Sequence, residues 1–207
     1  MSSVEPDALP SSDRLEMFSD GVLAIAITLL IIEVHVPVAG KQGLWQALGH
    51  QWPSYVAYAV SFLTIGIMWV NHHGMFDRIA YSDRGLLFLN LGLLAGIAFL
   101  PFPTALLARY IRDSDNAATA AVVYGMTMVV IGLFFTALLE YLRRHPNLLK
   151  PGVTAEVVRR AGRLTALGPT AYAVATLVAI VAPYVSLALF GGIAVFFAVG
   201  NRATNPA

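Results

Sequence analysis

The stretch RLEMFSDGVLAIAITLLIIEVHVP, Arg14 to Pro37, opens with Arg14, Glu16, Ser19 and Asp20 and then runs on as almost unbroken hydrocarbon. An ionisable group a turn or two inside an apolar helix costs on the order of 2–3 kcal/mol unless it faces protein or water, so Asp20 is expected to be paired or functional. A capping role is the other reading, with Ser19 or Asp20 accepting the first N–H groups of a helix that begins at Gly21. DRLEMF, however, has helix-forming composition and its own cap in Ser12 or Asp13, which favours an earlier start.

A second polar cluster, GIMWVNHHGMFDR, places Trp69, Asn71, His72 and His73 at about the level of Asp20. Asn71 or one histidine is expected to reach Ser19 or Asp20 and fix the first helix in register. Interfacial residence suits the same residues, Trp69 as a belt aromatic and the histidines with partly wet rings. Adjacent histidines on a helix point about 100° apart, so a shared metal is not expected. Asp20 with His72 has the chemistry of a proton relay, which keeps a proton-coupled secondary transporter as the alternative function. Transporters of that kind show inverted repeats with broken helices, and no such repeat occurs here. Ser19 with a histidine has the chemistry of a nucleophile and base, but no G-x-S-x-G or H-E-x-x-H accompanies them, so an enzyme is not expected. Asn90 and Glu140 are further candidates for buried pairing, Glu140 being expected to reach Arg143 or Arg144. Glu33 and His35 stand where they could draw cations to the outer end of the first helix.

These residues must be positioned by membrane helices. Only 12% of the 207 residues are charged, against about a quarter in soluble domains, and the mean hydropathy is +0.70. Thirteen Lys and Arg against twelve Asp and Glu leave a net charge of +1, which offers no basic face to nucleic acid. With no cysteine, thiolate chemistry and disulfides are absent. Runs of about 20 apolar residues, each able to cross a hydrocarbon core of roughly 30 Å, predict six spans: 17–36, 53–73, 85–107, 117–141, 164–181 and 184–200. The last two are separated only by APY around Pro183, which lacks an N–H donor and so favours a turn. Pro101 and Pro103 are expected to kink the third span. Arg14, Arg78, Arg84, Arg143, Arg144, Lys150, Arg159, Arg160, Arg163 and Arg202 fall on one side and Lys41, Arg109 and Arg112 on the other, which predicts both termini in the cytoplasm. Residues 1–13 and 202–207 are read as cytoplasmic tails, the first flexible, around a six-helix transmembrane unit of 14–201. The stretch after Thr154 is amphipathic and basic, as expected of a helix lying on anionic lipid.

Arg14, Phe18, Ser19 and Asp20 spell R-x-x-x-F-S-D, which resembles the signature of the lysosomal/endosomal potassium channel family in its bacterial single-repeat form. The six-span layout, the chain length and WVNHH extend the resemblance over essentially the whole chain. The resemblance implies an all-α homotetramer in the bacterial plasma membrane, in contact with lipids. The first helix of each subunit would line a central pore, with permeant potassium and no cofactor or fixed metal. No TVGYG-like filter loop occurs, as in the family, so a carbonyl cage of that type is not available. Along the first helix, Gly21, Ile25, Thr28, Leu29 and Ile32 share a stripe. By resemblance Ile25, five residues after the motif aspartate, falls at the family's isoleucine constriction, Thr28 at a pore-facing hydroxyl, and Leu29 and Ile32 along the lining. Arg14, Phe18, Ser19 and Asp20 would form a structural clasp with Trp69, Asn71 or His72 as partners. Read without the family, Ile25, Leu29 and Ile32 suit ordinary helix packing, and Thr28 suits a backbone-bonded hydroxyl.

Overall fold

A computed structural model describes residues 9–41 and 43–200, in which helices are joined by short connections and the described residues form no sheet. The first helix, α1 (Asp13–Leu29), tightens into a 3-10 turn over Leu30–Glu33. It starts before Asp20 because the Ser12 carbonyl accepts the N–H groups of Leu15 and Glu16, both at 3.0 Å. This overturns the reading of Ser19 or Asp20 as the cap of a helix beginning at Gly21. The Ser12 hydroxyl does not cap either; it donates to the Ile79 carbonyl at 3.0 Å. Ser12 N–H donates to Ala80 O, and Ser82 N–H to Pro10 O. The part of the expected flexible tail at 10–12 is therefore pinned to the 79–82 connection. Residues 1–8 and the expected tail at 202–207 lie outside the described residues.

A short helix that the sequence did not announce, α2 (Leu44–His50), precedes α3 (Trp52–Phe76). The third expected span forms as two helices, α4 (Arg84–Phe99) and α5 (Pro101–Tyr110), which meet at Leu100. Pro101 occupies the first position of α5, where its missing N–H costs nothing. Asp83 caps α4 by accepting the Leu86 N–H at 2.9 Å, and its other oxygen accepts the Tyr141 hydroxyl at 2.8 Å. α6 (Ala117–Arg144) is the longest helix described, and a Lys150-to-Val153 turn with Pro151 and Gly152 (φ 88°) leads on to α7 (Ala155–Thr165). A positive φ at the third residue of such a turn is the conformation that glycine adopts without strain. α8 (Leu167–Ala179) and α9 (Pro183–Gly200) are separated at Pro183, so the final apolar region is two packed helices, as expected, with Ser186 Oγ donating to Ala175 O at 2.8 Å.

Among the described residues, four segments are long and apolar enough to cross a membrane: Asp13–Glu33, Trp52–Phe76, Arg84–Tyr110 and Ala117–Arg144. α8, at 13 residues, is shorter than the 164–181 expected, so the fifth and sixth spans are not established by length. α7 is amphipathic as read, with Val158 buried against α6 and Arg159 and Arg160 exposed. Glu140 meets Arg143 and Arg144 at 2.6 Å each, also as read.

α6 is the packing centre, touching α4, α5, α7, α8 and α9, while α1 lies at one edge against α3 and α4. Three hydroxyls lock the interior: Ser61 Oγ lies 2.8 Å from Thr104 Oγ1 and 3.2 Å from the Tyr124 hydroxyl, joining α3, α5 and α6. Gly125 lets α6 approach α8 closely, because an added Cβ would overlap Thr176 Oγ1, which is itself held by a bond to Tyr172 O, and would lie 3.0 Å from Phe190. Gly125→Ala is therefore expected to lower stability by about 1–3 kcal/mol through overpacking. Gly66→Ala, where a Cβ meets nothing within 4 Å, is expected to be neutral or slightly stabilising. Thermal unfolding of the two variants in detergent checks the contrast; equal melting would remove the close approach as its cause.

Candidate functional site

α1 has two faces of different character. Leu15, Ser19, Leu23, Ala26 and Leu30 are buried against the bundle. Gly21, Ile25, Thr28, Leu29 and Ile32 all remain exposed, Ile25 at 61% and Ile32 at 64%. The stripe read from the sequence is thus left uncovered by the rest of the chain, and packing within the chain does not account for Ile25 or Ile32. Thr28 Oγ1 donates into its own helix, at 3.0 Å to Ala24 O and 2.9 Å to Ile25 O. Its hydroxyl proton is committed to the backbone while its oxygen lone pairs stay outward.

Behind the stripe, a chain of hydrogen bonds holds the buried face. Asn90 Nδ2 donates to Ser19 Oγ at 2.8 Å, and Ser19 Oγ donates to Leu15 O at 2.8 Å. Asn90 Oδ1 lies 2.9 Å from His72 Nε2. An amide oxygen only accepts, so His72 donates from Nε2; its Nδ1 is buried and has no partner among the described residues. Ser19, His72 and Asn90 are each fully buried, and the His72 ring stacks on Phe76 with centroids 4.3 Å apart. The three residues come from α1, α3 and α4, so one amide fixes the mutual register of three helices.

A second, wetter set lies at the same end. Trp69 Nε1 donates to Asp20 Oδ1 at 3.0 Å. His73 Nδ1 lies 3.1 Å from Glu16 Oε1 and its Nε2 lies 3.8 Å from Asp77, with its ring stacked on Trp69. His72 and His73 point to different partners, one buried and one half exposed, as adjacent helical positions require.

The structure therefore brings Ser19, Asp20, Trp69 and His72 together. Trp69, one of the partners that the resemblance named, reaches Asp20. His72 reaches Ser19 only through Asn90. Arg14 and Phe18 point outward, Phe18 at 55% exposure, and among the described residues Arg14 has no hydrogen bond or ion pair. No hydrogen bond joins Asp20 to His72, so the proposed relay between them is not connected. Ser19 has no imidazole beside its hydroxyl and is not arranged as a nucleophile. Glu16 and Asp77 were missed as site residues, and only their common helical level with His73 could have signalled them.

A family model described as Endosomal/lysosomal potassium channel TMEM175 matches residues 14–101. A Streptomyces collinus protein named as a potassium channel is 49% identical over 187 residues, covering 90% of this chain and 91% of that protein. One from Chamaesiphon minutus, also named as a potassium channel, is 36% identical and covers 97% of this chain and all of its own length. A crystal structure described as a lysosomal potassium-selective channel TMEM175 homolog from Chamaesiphon minutus superposes with a TM-score of 0.80 at 35% identity, over 94% of this chain and 98% of that one.

Proposed function

The chain belongs to the TMEM175 family of endosomal/lysosomal potassium channels, and from that premise we propose that it conducts potassium passively through a central pore lined by the exposed face of α1. It is a channel rather than an enzyme, and the potassium-channel relatives do not favour the proton-coupled alternative. The observation that carries the pore reading is the division of α1 into a face tied down by Asn90 and a continuous uncovered face from Gly21 to Ile32. A single helix cannot enclose an ion path, whereas a closed ring of identical helices can. The reading takes four copies, potassium as the permeant ion, α8 and α9 as the fifth and sixth spans, and a bacterial plasma membrane with both termini in the cytoplasm. Ile25 forms the narrowest ring, and the network of Ser19, Asn90, His72, Asp20 and Trp69 holds each lining helix at a fixed rotation behind it. A ring of isoleucines closes by dewetting and opens as the side chains withdraw.

Potassium flux from vesicles containing the purified protein, with and without an opposing proton gradient, tests the function. Passive conduction predicts the same flux in both; flux that requires the gradient would establish a carrier. Thr28→Val keeps the shape of the side chain and removes its oxygen from the ion path. The potassium-to-sodium permeability ratio is expected to fall about two- to tenfold, the worth of one hydrogen-bond-like contact, with assembly unchanged. An unchanged reversal potential in mixed potassium and sodium would leave the Thr28 hydroxyl with its backbone role only.

A further inference from the structure

Away from α1, the helices α3, α6, α7, α8 and α9 leave a cavity of about 1040 Å³. That is just above the roughly 300–1,000 Å³ that holds a drug-sized ligand. Its walls include the apolar Met68, Ile131, Phe135 and Phe197, and Arg78 and Arg160 border the same space. Thr64, midway along α3, marks its inner reach. The helical rise from Thr64 to Phe76, two residues short of Arg78, is roughly 18 Å. One leaflet with its headgroups, half of about 40–45 Å, has a similar depth.

The two guanidinium groups decide the occupant. Arg143, Arg144 and Arg159 are paired with Glu140 and Glu156, but among the described residues Arg78 and Arg160 have no ion pair. An apolar helix from a second copy would cover two cations without neutralising them, which is costly. A phosphate suits them, because guanidinium presents paired donors to its oxygens. We propose that this groove binds an anionic phospholipid of the leaflet, its phosphate on Arg78 and Arg160 and an acyl chain along Met68, Ile131, Phe135 and Phe197. The occupant would touch α3 within one turn of His72, so it would bear on the helix that holds α1 in place.

Native mass spectrometry of the detergent-purified protein, titrated with phosphatidylglycerol or phosphatidylcholine of identical chains, tests this without reference to ion conduction. Phosphatidylglycerol is expected to bind roughly thirtyfold more tightly, from two basic residues near one anionic headgroup. R78Q/R160Q should reduce that preference to within about threefold, while R78K/R160K keeps most of it. Gly74→Leu fills the groove, since Gly74 borders it and a Cβ there meets nothing within 4 Å; both lipids should bind more weakly with the oligomer intact. Equal binding of the two lipids to the wild type, a preference that survives R78Q/R160Q, or unchanged binding to Gly74→Leu would overturn the assignment. Loss of the oligomer in Gly74→Leu, with no lipid retained by the wild type, would assign the groove to a contact between copies instead.

Discussion

Replacing Ile25 by Asn is expected to raise potassium flux by roughly tenfold, equivalent to about 1.4 kcal/mol off the barrier, and to weaken discrimination against sodium. The effect follows from putting amides into a ring whose closed state depends on excluding water. Ile25→Ala should act in the same direction by widening the ring. The structure sharpens the test, because Ile25 is 61% exposed and its loss leaves no cavity inside the subunit. Stability of the subunit should change by no more than about 0.5 kcal/mol, as at other exposed sites. Three placements of Ile25 therefore separate cleanly. A pore residue gives more flux from an intact oligomer, a lipid-facing residue gives unchanged flux, and a residue between copies gives a weakened oligomer with less flux. Vesicle flux, reversal potentials and size-exclusion profiles of the same preparation distinguish them, and either of the last two outcomes would remove the isoleucine constriction from this protein.

Much of this arrangement was legible because it is written in local patterns. The break at Pro183, the amphipathic run after Thr154 and the Glu140-to-Arg spacing each depend on residues a few positions apart at most, and each appears as read. The apolar stripe of α1 was visible for the same reason. Partners distant in sequence were legible only as level, not as pairing. Trp69 and Asp20 are 49 residues apart, and hydropathy places both near one membrane face without saying which side chain turns toward which. Trp69 read equally well as a belt aromatic, because an indole with one donor serves either role. The pinning of 10–12 to 79–82 left no trace in composition, since it is made by backbone groups and two serine hydroxyls. The break at Leu100 was foreshadowed by Pro101 and Pro103, yet their fixed geometry specified only that the helix must be interrupted.

Asn90 carries the largest expected effect on stability. It is fully buried, and its two amide atoms serve Ser19 and His72 at once. Asn90→Ala leaves the His72 Nε2 proton without an acceptor in a ring whose Nδ1 already has no partner, and the Ser19 oxygen without its donor. The loss is expected to be on the order of 2–5 kcal/mol, with a matching drop in thermal midpoint in detergent and in the yield of oligomer. Asn90→Leu separates hydrogen bonding from volume, since it fills the space and restores neither bond. If the network is the cause, leucine is no better than alanine; if the cavity is the cause, leucine recovers most of the loss. Ser19→Ala should cost less, because Asn90 and His72 keep their mutual bond. The cost of the Ser19→Ala/Asn90→Ala double variant should then fall short of the sum of the singles, as expected for residues in one network. Oligomers that survive should keep the wild-type potassium-to-sodium ratio, because the amide lies behind α1 and not on its exposed stripe. A changed ratio at normal yield would instead place Asn90 and Ser19 in the ion path and reverse the assignment of the two faces of α1.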